Sequence, residues 1–222
     1  ERGTIQNVGV VDFSFSSTNT VFAVAGICAY NSGTIKNCFC IGEIHSGRAG
    51  GVCANNQGYL SDCYFSGKIV DETNAGNVGG VCYNNAVSIS NCYHNIDLFP
   101  GKAIESDSGY LAGDAFGKTT AEFASGEGAY LLQGNQSEAV WGQTIGSEPY
   151  PVFGGTKVYE GYVACLKKYS NSELSTTPTP HDYSKNGICN TCHAYKPATL
   201  TTDKYDIDNN GTIDNVYEIY NA

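Results

Sequence analysis

Cys165, His181, Cys189 and Cys192 are the residues of this sequence whose types and spacing best suit a chemical task. Cys189-Asn190-Thr191-Cys192 is a two-residue knuckle, the spacing that lets two thiolates face one ion, and Cys165 and His181 lie upstream at distances that loops close. Three thiolates and one imidazole fill a tetrahedron with protein ligands, which predicts a structural zinc site with no position left for a water to activate. The stretch around them, including Thr177-Pro178-Thr179-Pro180-His181-Asp182-Tyr183, holds too few apolar residues to form a core, so a staple is expected there. A disulfide between Cys189 and Cys192, or one that uses Cys165, is the competing staple in an oxidising compartment. His193 stands next to the knuckle as a competing nitrogen ligand.

A second candidate lies at the end of the chain. Asp206-x-Asp208-x-Asn210-Gly211-x-Ile213-Asp214 reproduces positions 1, 3, 5, 6, 8 and 9 of a calcium loop, so Asp206, Asp208, Asn210 and Asp214 are its candidate ligands. Position 12 is Tyr217 and Glu218 comes one place late, which removes the bidentate carboxylate. A plain turn before a strand at 216–220 uses the same Asp, Asn and Gly residues.

The elements that must position these groups follow from composition and repetition. Charged residues make up 15% of the 222, Gly reaches 27 and Tyr 16, and Met is absent; this profile points to an all-β, turn-rich, extracellular chain. A net charge of −10, from 22 acidic against 12 basic residues, disfavours nucleic acid and anionic membrane surfaces, which need clustered Lys and Arg. No apolar run is long enough to insert in a bilayer. No signal peptide opens the sequence, but both ends read as cut, the first inside a repeat and the last inside the opening of a further module.

Three copies of one unit start at Gly26-Ile27-Cys28, Gly51-Val52-Cys53 and Gly80-Val81-Cys82, each closing on a second cysteine at Cys38, Cys63 and Cys92. Gly3-Thr4-Ile5-Gln6-Asn7-Val8 matches Gly33 to Cys38, with Val in place of the cysteine, and makes a truncated fourth. Short β-branched pieces between Gly and Asn turns, at a period of about 20–30 residues, predict a parallel β-helix with one coil per unit. Equivalent residues then stack: Cys28, Cys53 and Cys82; Cys38, Cys63 and Cys92; and Ile35, Leu60 and Ile89, all pointing inward, with the cysteines as small buried thiols. Asn31, Asn56 and Asn85 are expected at a coil corner, where amides satisfy the turn backbone and tolerate left-handed conformations. Phe39, Tyr64 and Tyr93 form an outward aromatic column, either a platform for sugar rings or rings packing on one another. The outward columns Lys36, Ser61, Ser90 and Ile41, Ser66, Asn95 carry no carboxylate pair of the kind a β-helix lyase or hydrolase needs, so no catalysis is expected.

The repeats resemble the GLUG-motif family, whose unit runs Gly-Gly-hydrophobic-Val-Gly-x-Asn-x-Gly-x-Ile-x-Asn-Cys, here Gly51-Val52-Cys53-Ala54-Asn55-Asn56-Gln57-Gly58 and its siblings. Cys-Ala or Cys-Tyr replaces the family's second glycine region, and Val87 replaces the glycine found at Gly33 and Gly58. The match covers about residues 1 to 97. The resemblance implies a module of a large secreted or cell-surface protein of Gram-positive gut bacteria, adhesin-like, with host glycans or glycoproteins as partners. The same repeats accompany IgA-protease-type metallopeptidases, where the module would be accessory to a catalytic domain elsewhere. Gly187-Ile188-Cys189 and the cysteine-histidine pattern around it also resemble a short segment between modules of such surface proteins, with His193 in place of the usual glycine.

The expected organisation is therefore mostly β: solenoid repeats over 1–100, and a capping segment with one helix over 101–158. A small Cys/His-stapled segment over 159–200 and the start of a further module over 201–222 complete it. The helix is read from Thr119-Thr120-Ala121-Glu122, a capping-box spacing, followed by Phe123, Tyr130 and Leu131.

Overall fold

A computed structural model describes residues 3–19, 21–74, 76–109, 113–184 and 186–196, together with the backbone of two short strands at Thr199–Leu200 and Tyr217–Glu218. The chain divides into two units, Glu1–Tyr159 with Tyr169–Ser172, and Glu160–Lys168 with Glu173–Ala222.

The first unit is a parallel β-solenoid of about three turns. Its first coil contains β1 (Thr4–Ser17), β2 (Val24–Ala25) and β3 (Cys28–Asn31), and its second β4 (Thr34–Ser46), β5 (Arg48–Gly50) and β6 (Cys53–Asn56). The third contains β7 (Tyr59–Ser61), β8 (Tyr64–Val70), β9 (Asn77–Gly79) and β10 (Cys82–Asn85). β11 (Ser88–Ser90), β12 (Cys92–Asn95), β13 (Ile104–Asp107) and β14 (Ala115–Lys118) follow. Equivalent strands pair in parallel, and the register reproduces the columns read from the repeat: Ile5, Ile35, Leu60 and Ile89 in one, Cys28, Cys53, Cys82 and Ile104 in another. The solenoid thus runs past residue 100, the boundary expected from the repeats, through one further coil whose two strands, β13 and β14, lack the Gly-Val-Cys signature.

The cysteine columns pack as apolar groups with a use for their hydrogens. Cys38, Cys40, Cys53, Cys63, Cys82 and Cys92 are fully buried in one core with Ile35, Ile44, Leu60, Phe65 and Ile89. Each thiol of the two columns donates to a carbonyl two residues away: Cys28, Cys53 and Cys82 to Tyr30, Asn55 and Asn84, and Cys38, Cys63 and Cys92 to Lys36, Ser61 and Ser90, at 3.0–3.4 Å. A valine of similar size would leave those carbonyls one weak donor short. All ten cysteines are free thiols.

Asparagine does two separate jobs at the corners. Asn31, Asn56 and Asn85 form a buried amide ladder, Nδ2 to Oδ1 at 2.7 and 2.9 Å, which ends on the Asp107 carboxylate at 2.8 Å. Their side chains also reach the turn backbone, as in Gly33 N–H to Asn31 Oδ1 at 3.0 Å. The left-handed conformation, however, falls on a different column, Asn7, Asn37, Asp62 and Asn91, with φ of 57°, 50°, 54° and 49°. These residues turn the chain between the first and second faces, where Asn and Asp tolerate positive φ. Gly33 and Gly58 meet a steric requirement instead, since a Cβ on either would lie 2.0 or 2.2 Å from the carbonyl oxygen of the coil below. In the copy with Val87, the neighbouring rung bond, Ser88 N–H to Gly58 O, is 3.3 Å against 2.8 Å for its counterpart from Tyr59.

The segment after Lys118 forms two short helices rather than one, α1 (Thr120–Ala124) and α2 (Glu127–Gln133). Thr119 and Glu122 make the expected capping box, and the Thr119 hydroxyl and amide hold the Glu122 carboxyl below the usual carboxylate range. The break comes at Gly126, which is left-handed at φ 91° and cannot continue a helix. A two-stranded ribbon, β15 (Trp141–Gly142) with β16 (Val152–Phe153), follows. Phe123, Leu132 and Trp141 close on Tyr64 and Tyr93 as a second core, so this segment covers the outward aromatic flank of the coils. Among the described residues, no helix is long and apolar enough to cross a membrane.

Candidate metal centre

The second unit is built on a hairpin. β17 (Tyr159–Val163) and β18 (Leu166–Ser170) pair across the two-residue turn Ala164-Cys165, with Ala164 left-handed at φ 55°, so Cys165 is presented at the tip. The chain then returns along the hairpin through an antiparallel bridge from Ser175 to Tyr162. Thr179 N–H donates to Ala164 O at 3.0 Å, which brings His181 to the level of that tip.

The knuckle is shaped by its own backbone. Gly187, left-handed at φ 70°, closes a turn with its N–H on Ser184 O at 2.9 Å, and bridges from Tyr183 to Cys189 and from Ile188 to Tyr195 set Cys189 in a small ribbon. The next turn is closed by His193 N–H on Cys189 O at 3.0 Å and Cys189 N–H on Ala194 O at 2.9 Å. Asn190 anchors it from outside, through its N–H to Asp182 O and its Nδ2 to Asp182 Oδ2.

These elements bring the Sγ atoms of Cys165, Cys189 and Cys192 and a ring nitrogen of His181 within 4.8 Å of one another. Cys165 and Cys189 lie Sγ to Sγ at 3.5 Å, and Cys192 Sγ lies 3.2 Å from His181 Nδ1. Tetrahedral bonds of about 2.3 Å to sulfur and about 2.0 Å to nitrogen separate ligand atoms by roughly 3.4–3.8 Å. The four atoms therefore reach one ion with movements of about an ångström or less.

The electrostatics suit a cation. The Cys192 amide first, then the His181 ring, the Thr191 amide and the Cys165 thiol, pull the Cys189 thiol down to about 5 against the burial that opposes them. Burial first, then the thiols of Cys189 and Cys192, push Cys165 up to about 11. Without a metal, one thiolate at Cys189 is therefore shared by hydrogen bonds from its neighbours, the arrangement that a divalent ion would replace. His193 is not in the group. It is exposed and left-handed at φ 60°, which gives a physical reason for a glycine at this position.

The other sequence candidates fare differently. Phe39, Tyr64 and Tyr93 do point outward from the coils, and Phe39 stacks on Tyr64 at 5.2 Å and 5°. They form no platform for a sugar: Tyr64 is 0% and Tyr93 5% exposed, and Trp141, Phe153, Phe123 and Tyr150 lie against the column at 4–7 Å between ring centroids, as in Phe39–Phe153 at 5.1 Å and Tyr64–Phe123 at 5.5 Å. Aromatic rings on both sides bury more area together than either would alone, so the column serves packing. Asp206, Asp208, Asn210 and Asp214 lie outside the described residues. Asn37 is the residue that the sequence reading passed over: its Oδ1 accepts from Trp141 Nε1 and Gln136 Nε2, both at 3.1 Å, and ties the helical segment to the corner column. Its repetition with Asn7, Asp62 and Asn91 just before each second cysteine position was the available signal.

No protein-family model, curated protein or solved structure matches the chain.

Proposed function

We propose that this chain is a non-catalytic structural module of a large secreted or cell-surface bacterial protein, a solenoid spacer joined to a zinc-held knot. The observation that carries the reading is the convergence of Cys165, His181, Cys189 and Cys192 on one point from a hairpin tip, a return segment and a knuckle. Three sulfurs and a nitrogen favour zinc over hard cations, and four protein ligands leave no open position for catalysis. Zinc here contributes folding energy to a unit that buries little apolar surface, because the ion binds the assembled ligands and not the unfolded chain. The repeat resemblance and the all-β composition support the extracellular, adhesin-like setting, with further modules on the same chain and host glycoproteins as partners of the whole protein.

The test is metal analysis of the full chain purified without chelator. The expected result is about one zinc per chain, as a closed four-ligand site requires, absent in Cys189→Ser and Cys192→Ser. Metal-free protein that stays metal-free when zinc is added, with Cys189 joined to Cys192 or Cys165, overturns the reading.

A further inference from the structure

We infer that the same four side chains form a redox-gated site, in which a peroxide-class oxidant joins Cys165 to Cys189 and expels the ion. This rests on the zinc reading and deepens it. Two observations carry it: the 3.5 Å separation of the two sulfurs, and the difference in their accessibility, Cys165 half-buried at the hairpin tip and Cys189 fully buried.

The chemistry follows from that asymmetry. The Cys165 thiolate meets the oxidant first and attacks one peroxide oxygen; the O–O bond breaks, the sulfur becomes sulfenic acid, and the leaving hydroxide takes a proton to become water. The Cys189 thiolate, already in contact, displaces the sulfenic hydroxyl as a second water, and the S–S bond forms. In sum, two thiolates, one hydrogen peroxide and two protons give one disulfide and two waters. The zinc ion changes no oxidation state and loses two of its ligands. Cys192 and His181 remain, 3.2 Å apart, too few to hold it against water. Closing the sulfurs from 3.5 Å to a bond of about 2.05 Å needs a shift of only about 1.5 Å. The bond would tether the hairpin tip to the knuckle, the same two elements that the ion tethers, so the unit exchanges one staple for another. Cys192 is engaged instead with the imidazole, which is why the partner of Cys189 is Cys165 and not its near neighbour in sequence.

The experiment uses the full zinc-loaded chain. Zinc is first quantified; hydrogen peroxide is then added with a chromogenic zinc chelator present, and disulfides are mapped by mass spectrometry under non-reducing digestion. The expected result is release of about one zinc per chain in step with loss of two thiols, both mapping to Cys165–Cys189, and recovery of zinc binding after a dithiol reductant. In metal-free protein under the same oxidant, Cys165→Ser should form no disulfide to Cys189, whereas the parent forms it and takes up no zinc until it is reduced. Oxidation with zinc retained, a bridge between Cys189 and Cys192, or sulfinic acids without a bridge overturns the inference while leaving the zinc reading intact. Failure to load zinc at the first step overturns the zinc reading and this one with it, before any oxidant is added.

Discussion

Replacing Tyr64 with alanine separates a packed column from a ligand platform. Tyr64 is fully buried between Phe39 at 5.2 Å, Phe123 at 5.5 Å, Trp141 at 5.8 Å and Tyr150 at 6.4 Å, and its hydroxyl donates to Pro151 O at 2.8 Å. An aromatic side chain buries roughly 150–250 Å². At roughly 25 cal/mol per Å² its removal costs about 4–6 kcal/mol, and measured truncations of buried aromatics cost about 3–5 kcal/mol. The expected loss is thus about 3–5 kcal/mol for Tyr64→Ala, and about 1–2 kcal/mol for Tyr64→Phe, which only leaves the Pro151 carbonyl without its donor. Urea unfolding followed by fluorescence of Trp141 is the assay, because the one tryptophan sits in this core and reports on the first unit alone. An alanine variant within about 0.5 kcal/mol of the parent would refute the packing argument, since only an open surface tolerates that change.

Asn56→Ala should cost about 3 kcal/mol or more in the same assay, because it takes one of the two acceptors of Asn31 Nδ2, which keeps only the Tyr59 carbonyl, and removes the donor to Asn85 Oδ1 and to the Ser88 carbonyl. Asn31→Ala, at the start of the ladder, should cost visibly less. His193→Gly should stabilise the second unit by about 1 kcal/mol, by relieving a left-handed side chain at φ 60°, and should leave zinc content unchanged; His181→Ala should lower zinc affinity in a chelator competition. Burial holds the His94 imidazole below its ordinary 6.5, so below that pH the unfolded chain binds a proton that the folded chain refuses. Stability should therefore fall as pH drops below about 6.5, by up to about 1.4 kcal/mol per pH unit until the lowered folded value is reached. His94→Gln should flatten that slope in a pH series of urea midpoints.

The coils were legible because a repeat states its own register. Cys28, Cys53 and Cys82 recur in the same local phrase, and parallel stacking is the one arrangement that puts equivalent apolar residues on equivalent neighbours. Legibility ended where the phrase did: Ile104–Asp107 and Ala115–Lys118 form one further coil, with Ile104 and Ala115 packed on the core and Asp107 ending the asparagine ladder, but with no Gly-Val-Cys phrase to announce it. The capping box at Thr119 was readable as local chemistry, but not the surface the helices would cover, which depends on Phe39, Tyr64 and Tyr93 some 30–80 residues earlier in the chain. Asparagine misled for a related reason. Type alone marks a corner; only the backbone says that Asn37 takes the positive φ while Asn31 spends its amide on the ladder.

The ten cysteines divide by the partners of their sulfurs more than by sequence spacing. In the coils each column thiol has a backbone carbonyl for its hydrogen, and burial among apolar neighbours pushes Cys40 and Cys63 far up, which disfavours ionisation and oxidation at those two, while the Cys63 side chain holds Cys38 below the ordinary thiol value. In the second unit the sulfurs meet amides, an imidazole and one another, which favours the thiolate at Cys189. One residue type therefore serves as a small core hydrophobe in one unit and lines the candidate metal centre in the other. The distinction predicts the order of reaction with an alkylating reagent: in metal-free native protein Cys165 and Cys192, both half-buried, should be labelled first, and Cys38, Cys53, Cys63, Cys82 and Cys92 only on unfolding. Loaded zinc should protect the first pair and leave the second group unchanged. Labelling of those five buried cysteines at the rate of Cys165 would mean that the solenoid opens as readily as the knot, and that the buried columns do not hold the coils together; Cys28, half-buried like Cys165, is no part of that comparison.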